Sequence, residues 1–178
     1  MKGGAKMSEV LANIKSRRSI RSFKEDQVSE EHLNEILTAG LYAPSAKNSQ
    51  AWQFTVVQDA QKLEKLSKEV GIAIGNPDYH RFYNAPTLIL VSFPRGYAFG
   101  AADGGTALQN IFLEANALGV GSVWINQLVG NSDVSGIREV LTSFDIPKDH
   151  IVLGSAAIGY PLELPKNSKE INGIVKFV

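Results

Sequence analysis

Two polar clusters carry side chains able to hold an anionic, heteroaromatic ligand. Arg17-Arg18-Ser19-Ile20-Arg21 sets three guanidiniums and a hydroxyl within five residues. A guanidinium presents a planar fork of donors that matches phosphate and the carbonyl oxygens of a heterocycle. In an extended segment Arg17, Ser19 and Arg21 share one face, while Arg18 and Ile20 share the other. The same pentad also fits a basic helix end that complements the dipole of the helix before it. The second cluster is Pro44-Ser45-Ala46-Lys47-Asn48-Ser49-Gln50-Ala51-Trp52. Its Asn, Gln and Ser side chains both donate and accept, which suits a ring edge with alternating carbonyl and N–H groups. An ordinary polar loop between a helix and a strand has the same composition.

Other chemistries lack their residues. The chain of 178 residues has no cysteine, which removes disulfides, thiolate nucleophiles and zinc–thiolate sites together. His32, His80 and His150 form no metal-ligand pair at helical spacing. There is no Gly-x-Ser-x-Gly elbow and no Walker loop. Gly119-Val120-Gly121 begins like a dinucleotide fingerprint, but it follows a helix and precedes a strand, and Trp124 takes the third glycine's place. It reads as a helix stop. If the protein is an enzyme, a cofactor carries the reaction.

Eighteen Lys and Arg balance eighteen Asp and Glu, so there is no excess of positive charge for nucleic acid. Apolar runs such as Leu88-Ile89-Leu90-Val91 fall far short of the ~18 residues of a membrane helix. Met1 to Lys6 lacks the apolar stretch of a secretory signal and reads as a mobile leader of up to seven residues, with Met7 an alternative start. The expectation is one cytoplasmic domain over 1–178, with neither membrane nor nucleic acid as partner.

The elements that must position the clusters follow from patterning. Ser8 to Ser16 reads as a helix, and Ser29 caps a second one whose apolar face is Leu33, Ile36, Leu37 and Leu41, with Pro44 as its stop. Gln53 to Val57 reads as a strand, and Asp59 caps a helix carrying Leu63, Leu66 and Val70. Gly75, Asn76 and Pro77 signal turns in a stretch of otherwise weak pattern. A buried strand is predicted over Thr87–Phe93 and a central, widely buried helix over 99–118, stopped by Gly119. Strand Ser122–Asn126, helix Ser132–Phe144 and strand Ile151–Ile158 complete the body. Ile174-Val175-Lys176-Phe177-Val178 is strand-like and needs a pairing partner, either its own sheet or another subunit. The order predicts an α+β layered domain.

Together the segments resemble the nitroreductase family of FMN-dependent oxidoreductases. Arg17 to Phe23 resembles its N-terminal flavin motif, and Ala43 to Trp52 its Pro-Ser-x-x-Asn-x-Gln-Pro-Trp segment. Asn84-Ala85-Pro86, Gln109-Asn110 through Ser122, and Ile158-Gly159-Tyr160-Pro161 are similar to further family segments in the same order. The resemblance implies a three-layer α/β/α fold around a mixed, mainly antiparallel sheet. It also implies an intertwined homodimer whose terminal segment, here 166–178, reaches the partner subunit.

By the same resemblance, Arg17 and Ser19 would contact the FMN phosphate and ribityl chain, with Arg18 adding contacts. Arg21 would lie at the N1/O2 edge of the ring, where a cation stabilises reduced flavin. Pro44, Ser45 and Asn48, with Gln50, would come from the other subunit. Asn126 and Gln127 match the segment whose backbone approaches flavin N5. Lys166 and Lys169 fall near the late phosphate-binding cations, and Arg81 near a second cation at the pyrimidine ring. Departures are Ala51 in place of a proline, Asn126 in place of an acidic residue and Lys169 in place of an arginine.

The implied activity is transfer of hydride from NADH or NADPH through flavin N5 to a nitroaromatic, quinone or similar flat acceptor, in a ping-pong cycle. A same-fold flavoenzyme with another reaction, such as dehalogenation or desaturation, and a flavin storage or sensing module stand as alternatives.

Overall fold

The computed structural model describes residues 7–76, 78–79, 81–167 and 169–178. The leader reading of residues 1–6, the turn signal at Pro77 and His80 therefore lie outside the described residues. Five helices, α1 (Glu9–Ser16), α2 (Glu30–Leu41), α3 (Ala60–Ala73), α4 (Gly100–Ala117) and α5 (Ser135–Ser143), surround four strands. These are β1 (Gln53–Val57), β2 (Thr87–Pro94), β3 (Gly121–Ile125) and β4 (His150–Gly159), in spatial order β1-β2-β4-β3. Every pair of these strands is antiparallel, and one parallel bridge, Ser19 to Ser122, makes the sheet mixed.

The caps act as their residue types require. Ser8, Ser29 and Asp59 each accept from a backbone N–H of the first turn of α1, α2 and α3. At the far end of α4, Gly119 adopts φ 72°. Val120 N–H reaches the Ala115 carbonyl at 2.7 Å and Gly119 N–H the Asn116 carbonyl at 3.2 Å, a Schellman stop.

β2 separates the two cores by its alternation. Leu88 and Leu90 face α3 and α5, packing with Leu66, Val70, Ile137 and Leu141. Ile89, Val91 and Phe93 face α2 and α4, packing with Ile36, Leu108, Ile111 and Ala115. Helices on both faces of the sheet give the expected three layers.

Three expectations need correction. Of the two pairings open to the last strand, the one with its own sheet does not form: Ile174, Val175 and Phe177 are exposed and irregular. The 132–144 helix starts only at Ser135, since Ser132 is buried, donating to the Leu128 carbonyl and accepting from Val152 N–H. Leu41, expected on the buried face of α2, is exposed at its last residue.

Candidate active site

The two clusters attach to opposite ends of α4. Near its C-terminal end, Asn116 donates to Asn13 Oδ1 at 2.6 Å and to Ser16 Oγ at 2.9 Å, while Asn13 donates to the Leu113 carbonyl at 2.9 Å. This polar network docks a helix that has no buried residue of its own. The chain leaves α1 through Arg17, whose backbone is already extended, and Ile20 N–H then bonds the Ser122 carbonyl at 2.9 Å. Ile20 is buried against Gly121, where a methyl would lie only 2.9 Å from Ile20 Cγ1, so the glycine admits the segment to the edge of β3.

The alternation expected of an extended segment holds. Arg18 and Ile20 line one cavity of about 630 Å³, together with Lys15, Ser122 and Lys169. Arg18 also donates to the Asn167 carbonyl, tying the basic segment to the C-terminal tail. Arg17 is half-buried and does not line this cavity, and Ser19 sits in the bridge to Ser122. Arg21 lies over the Tyr83 ring, 5.8 Å from its centroid. Tyr83 and Gln127 line a separate cleft, which brings the Arg21 and Asn126–Gln127 segments to a common neighbour. Asn126 is exposed, and its N–H donates to Gln127 Oε1 at 3.0 Å. Lys166 is exposed and outside both cavities. Arg81 is separate: its guanidinium pairs with Glu64 at 3.3 Å, and it lines a third cleft beside Asn84 and Pro86.

At the N-terminal end of α4, Asp103 organises the second cluster. The Asp103 carboxyl, only 5% exposed, accepts from Ala46 N–H at 3.1 Å and from Tyr97 O–H at 2.8 Å. Tyr97 O–H is also bonded to Ser49, and Thr106 Oγ1 donates to the Pro44 carbonyl. The bond with Ser49 pulls the Tyr97 pKa down, but lost hydration and the Asp103 carboxyl outweigh it and leave the phenol above its ordinary value. Within the loop, Ser45 Oγ accepts from Gln50 N–H and the Gln50 amide donates to Asn48 Oδ1. Lys47, Asn48 and Gln50 are all left-handed, with φ of 54°, 52° and 46°. Asn48 and Gln50 remain exposed.

Asp103, Tyr97, Tyr83 and Lys15 carry no local signal that marks them for this site. Asp103 reads from sequence only as a first-turn acid favourable to the dipole of α4. Among the described residues no hydrogen bond or ion pair joins the Arg17–Arg21 segment to the Pro44–Gln50 loop.

The profile of the Nitroreductase family matches residues 14–160. The chain belongs to the nitroreductase family. It is 35% identical over 162 residues to an Archaeoglobus fulgidus protein described as an NADH dehydrogenase/NAD(P)H nitroreductase, covering 87% of each chain. It is 29% identical over 177 residues to the Bacillus subtilis FMN reductase [NAD(P)H], covering 88% of this chain and 68% of that one. A solved nitroreductase with bound FMN from Bacteroides fragilis matches at a TM-score of 0.89 and 36% identity, over 97% of this chain and all of the other.

Proposed function

We propose that the protein is an FMN-dependent oxidoreductase that takes hydride from NADH or NADPH and reduces a nitroaromatic, quinone or similar flat acceptor in a ping-pong cycle. The observation that carries this reading is the cavity of about 630 Å³ walled by Lys15, Arg18 and Lys169, in a chain so similar to an FMN-bound nitroreductase. Its volume is within the roughly 300–1,000 Å³ of ligand clefts, and its cations suit a phosphate. The donor set fits FMN.

When bound, FMN supplies a ring that accepts hydride from one molecule and delivers electrons to another. The chain supplies binding and electrostatics. Arg18 and Lys169 neutralise the phosphate, with Arg17, Ser19 and Lys166 close in sequence to them. Arg21 contributes a positive charge at the ring's pyrimidine end, held in place by the face of Tyr83. The Asn126–Gln127 backbone would border the reacting edge of the bound ring. Arg81 is a second cation for the pyrimidine end of the ring, available once it exchanges its exposed pairing with Glu64.

A second copy of the chain completes the site with Pro44, Ser45, Asn48 and Gln50. The anchors of the two clusters are separated by most of the length of α4, which supports a ring shared between two chains. Exposed Val10, Leu11 and Ile14 on α1, with Ile171, Ile174, Val175 and Phe177 in the tail, supply apolar surface for such a homodimer. The absence of cysteine is consistent with a cytoplasmic site of action.

The test is the visible spectrum of protein purified without added flavin, followed by anaerobic NADPH, NADH and then a quinone. Near-stoichiometric flavin, bleached by a nucleotide and recovered by the quinone, supports the oxidoreductase. Flavin that neither nucleotide reduces supports a storage or sensing module instead, and failure to take up FMN overturns the reading.

A further inference from the structure

The loop that offers Asn48 and Gln50 is held from outside itself. Its three left-handed non-glycine residues are conformations that persist only where the surroundings over-determine them. The surroundings here are few and specific. Asp103, fixed in the first turn of α4, accepts from Ala46 N–H with one oxygen and from Tyr97 O–H with the other. Tyr97 in turn bonds Ser49, three residues further along the loop. Because the Tyr97 proton goes to Asp103, the Ser49 hydroxyl is the donor to Tyr97. The Tyr97 ring is itself immobilised, stacked on buried Phe93 with centroids 5.8 Å apart and planes at 7°.

We propose that Asp103 and Tyr97 are positioning residues for the cofactor site, clamping the 45–50 loop at Ala46 and Ser49 in the shape that presents Asn48 and Gln50 to FMN. The proposal rests on the FMN reading above, but the clamp makes a claim about the loop that is read without flavin. Both residues act through the loop, by their contacts with Ala46 and Ser49. A carboxyl is the apt group at 103, because one side chain must accept from a backbone N–H and a phenol together, without donating. A tyrosine is apt at 97, since a rigid ring delivers a hydroxyl to two partners while its face packs on the core.

The experiment compares the parent with Asp103→Ala, Asp103→Asn and Tyr97→Phe. FMN affinity is measured by quenching of flavin fluorescence, and loop order by the rate of tryptic cleavage after exposed Lys47 in flavin-free protein. Tyr97→Phe keeps the stacked ring and removes only the hydroxyl, so it carries the test if Asp103→Ala fails to fold. The expected result is weaker FMN binding by about tenfold in Asp103→Ala, on the scale of one charge-assisted hydrogen bond. Lys47 cleavage speeds by a similar factor, cleavage elsewhere is unchanged, and Asp103→Asn recovers part of both losses. Parent-like affinity and cleavage in Asp103→Ala and Tyr97→Phe overturn the clamp while leaving the FMN reading intact. A parent that binds no FMN overturns that reading, and the Lys47 rates then decide the clamp alone.

Discussion

Asp103 and Asn116 lie thirteen residues apart on α4, which at about 1.5 Å per residue sets them about 20 Å from each other along the helix axis. Asp103 holds the polar loop and Asn116 holds the exit of α1, so one helix carries both halves of the candidate site and keeps them apart. A rigid spacer of this kind makes sense if each half serves a ring shared with another copy of the chain. In a two-fold dimer the same patch on each chain meets its counterpart, which forms two equivalent sites.

The cations of the cavity recognise a phosphate. Arg18→Ala and Lys169→Ala are each expected to weaken FMN binding by about tenfold, the scale of one charge-assisted bond. Riboflavin, which lacks the phosphate, loses little. Titrating both flavins against each variant checks this, and equal losses for the two flavins would place these residues elsewhere on the cofactor.

Arg21 is expected to act on the ring. Arg21→Ala keeps FMN but lowers its reduction potential, because a positive charge favours the form carrying extra electrons. A spectroelectrochemical titration of the flavin-loaded variant reads the shift. An unchanged potential removes Arg21 from that role.

Gly121 tests the seating of the basic segment. A methyl there meets three Ile20 carbons at 2.9–3.0 Å, so Gly121→Ala forces Ile20 or the strand edge to move. Overpacking of this kind costs about 1–3 kcal/mol. Thermal unfolding of the flavin-free protein should show the loss, accompanied by weaker FMN binding. A parent-like midpoint would mean that Ile20 yields freely.

Asp133 gives a pH dependence whose sign is fixed. Its hydrogen bonds with Arg95, at 2.6 and 2.8 Å, and the nearby Arg138 hold its carboxyl below the usual carboxylate value. A lowered folded-state value stabilises the protein above the unfolded-state pKa of about 3.9 and is lost as pH falls through the folded value. Asp133→Asn should therefore flatten the acid limb of the stability curve below about pH 4, by a small amount because the group is exposed. Urea midpoints from pH 2 to pH 7 read the difference.

What was legible in the sequence was what local chemistry determines. Ser29 and Asp59 announced two helix starts because a cap is a contact within one turn, while Ser8, read as the first helical residue, is itself the cap of α1. Gly119 announced the end of α4 for the same reason. The alternation of Arg17 to Arg21 was legible as well, yet which face meets a cavity depends on β3 and the tail, and it is Arg18 that meets it. Phe82 and Tyr83 are left-handed without glycine, and nothing in their types reveals the turn that sets Tyr83 under Arg21. Asp103 reaches Ala46 across 57 positions of sequence, a contact no local pattern contains. The tail's apolar residues signalled a strand, but a strand is a pairing, and its partner is not in the described chain.

Whether a flavin site forms between two copies of this chain is decided by mixing two defective proteins. Arg18→Ala damages the cavity half and Asn48→Ala the loop half. Unfolded together in equal amounts and refolded, half of the dimers are mixed, and each mixed dimer holds one site free of both substitutions. The prediction is recovery of high-affinity FMN binding at about a quarter of all sites, in a mixture whose components each bind weakly alone. If both halves belong to one chain, mixing restores no intact site, and binding no better than that of the separate variants would contradict the account.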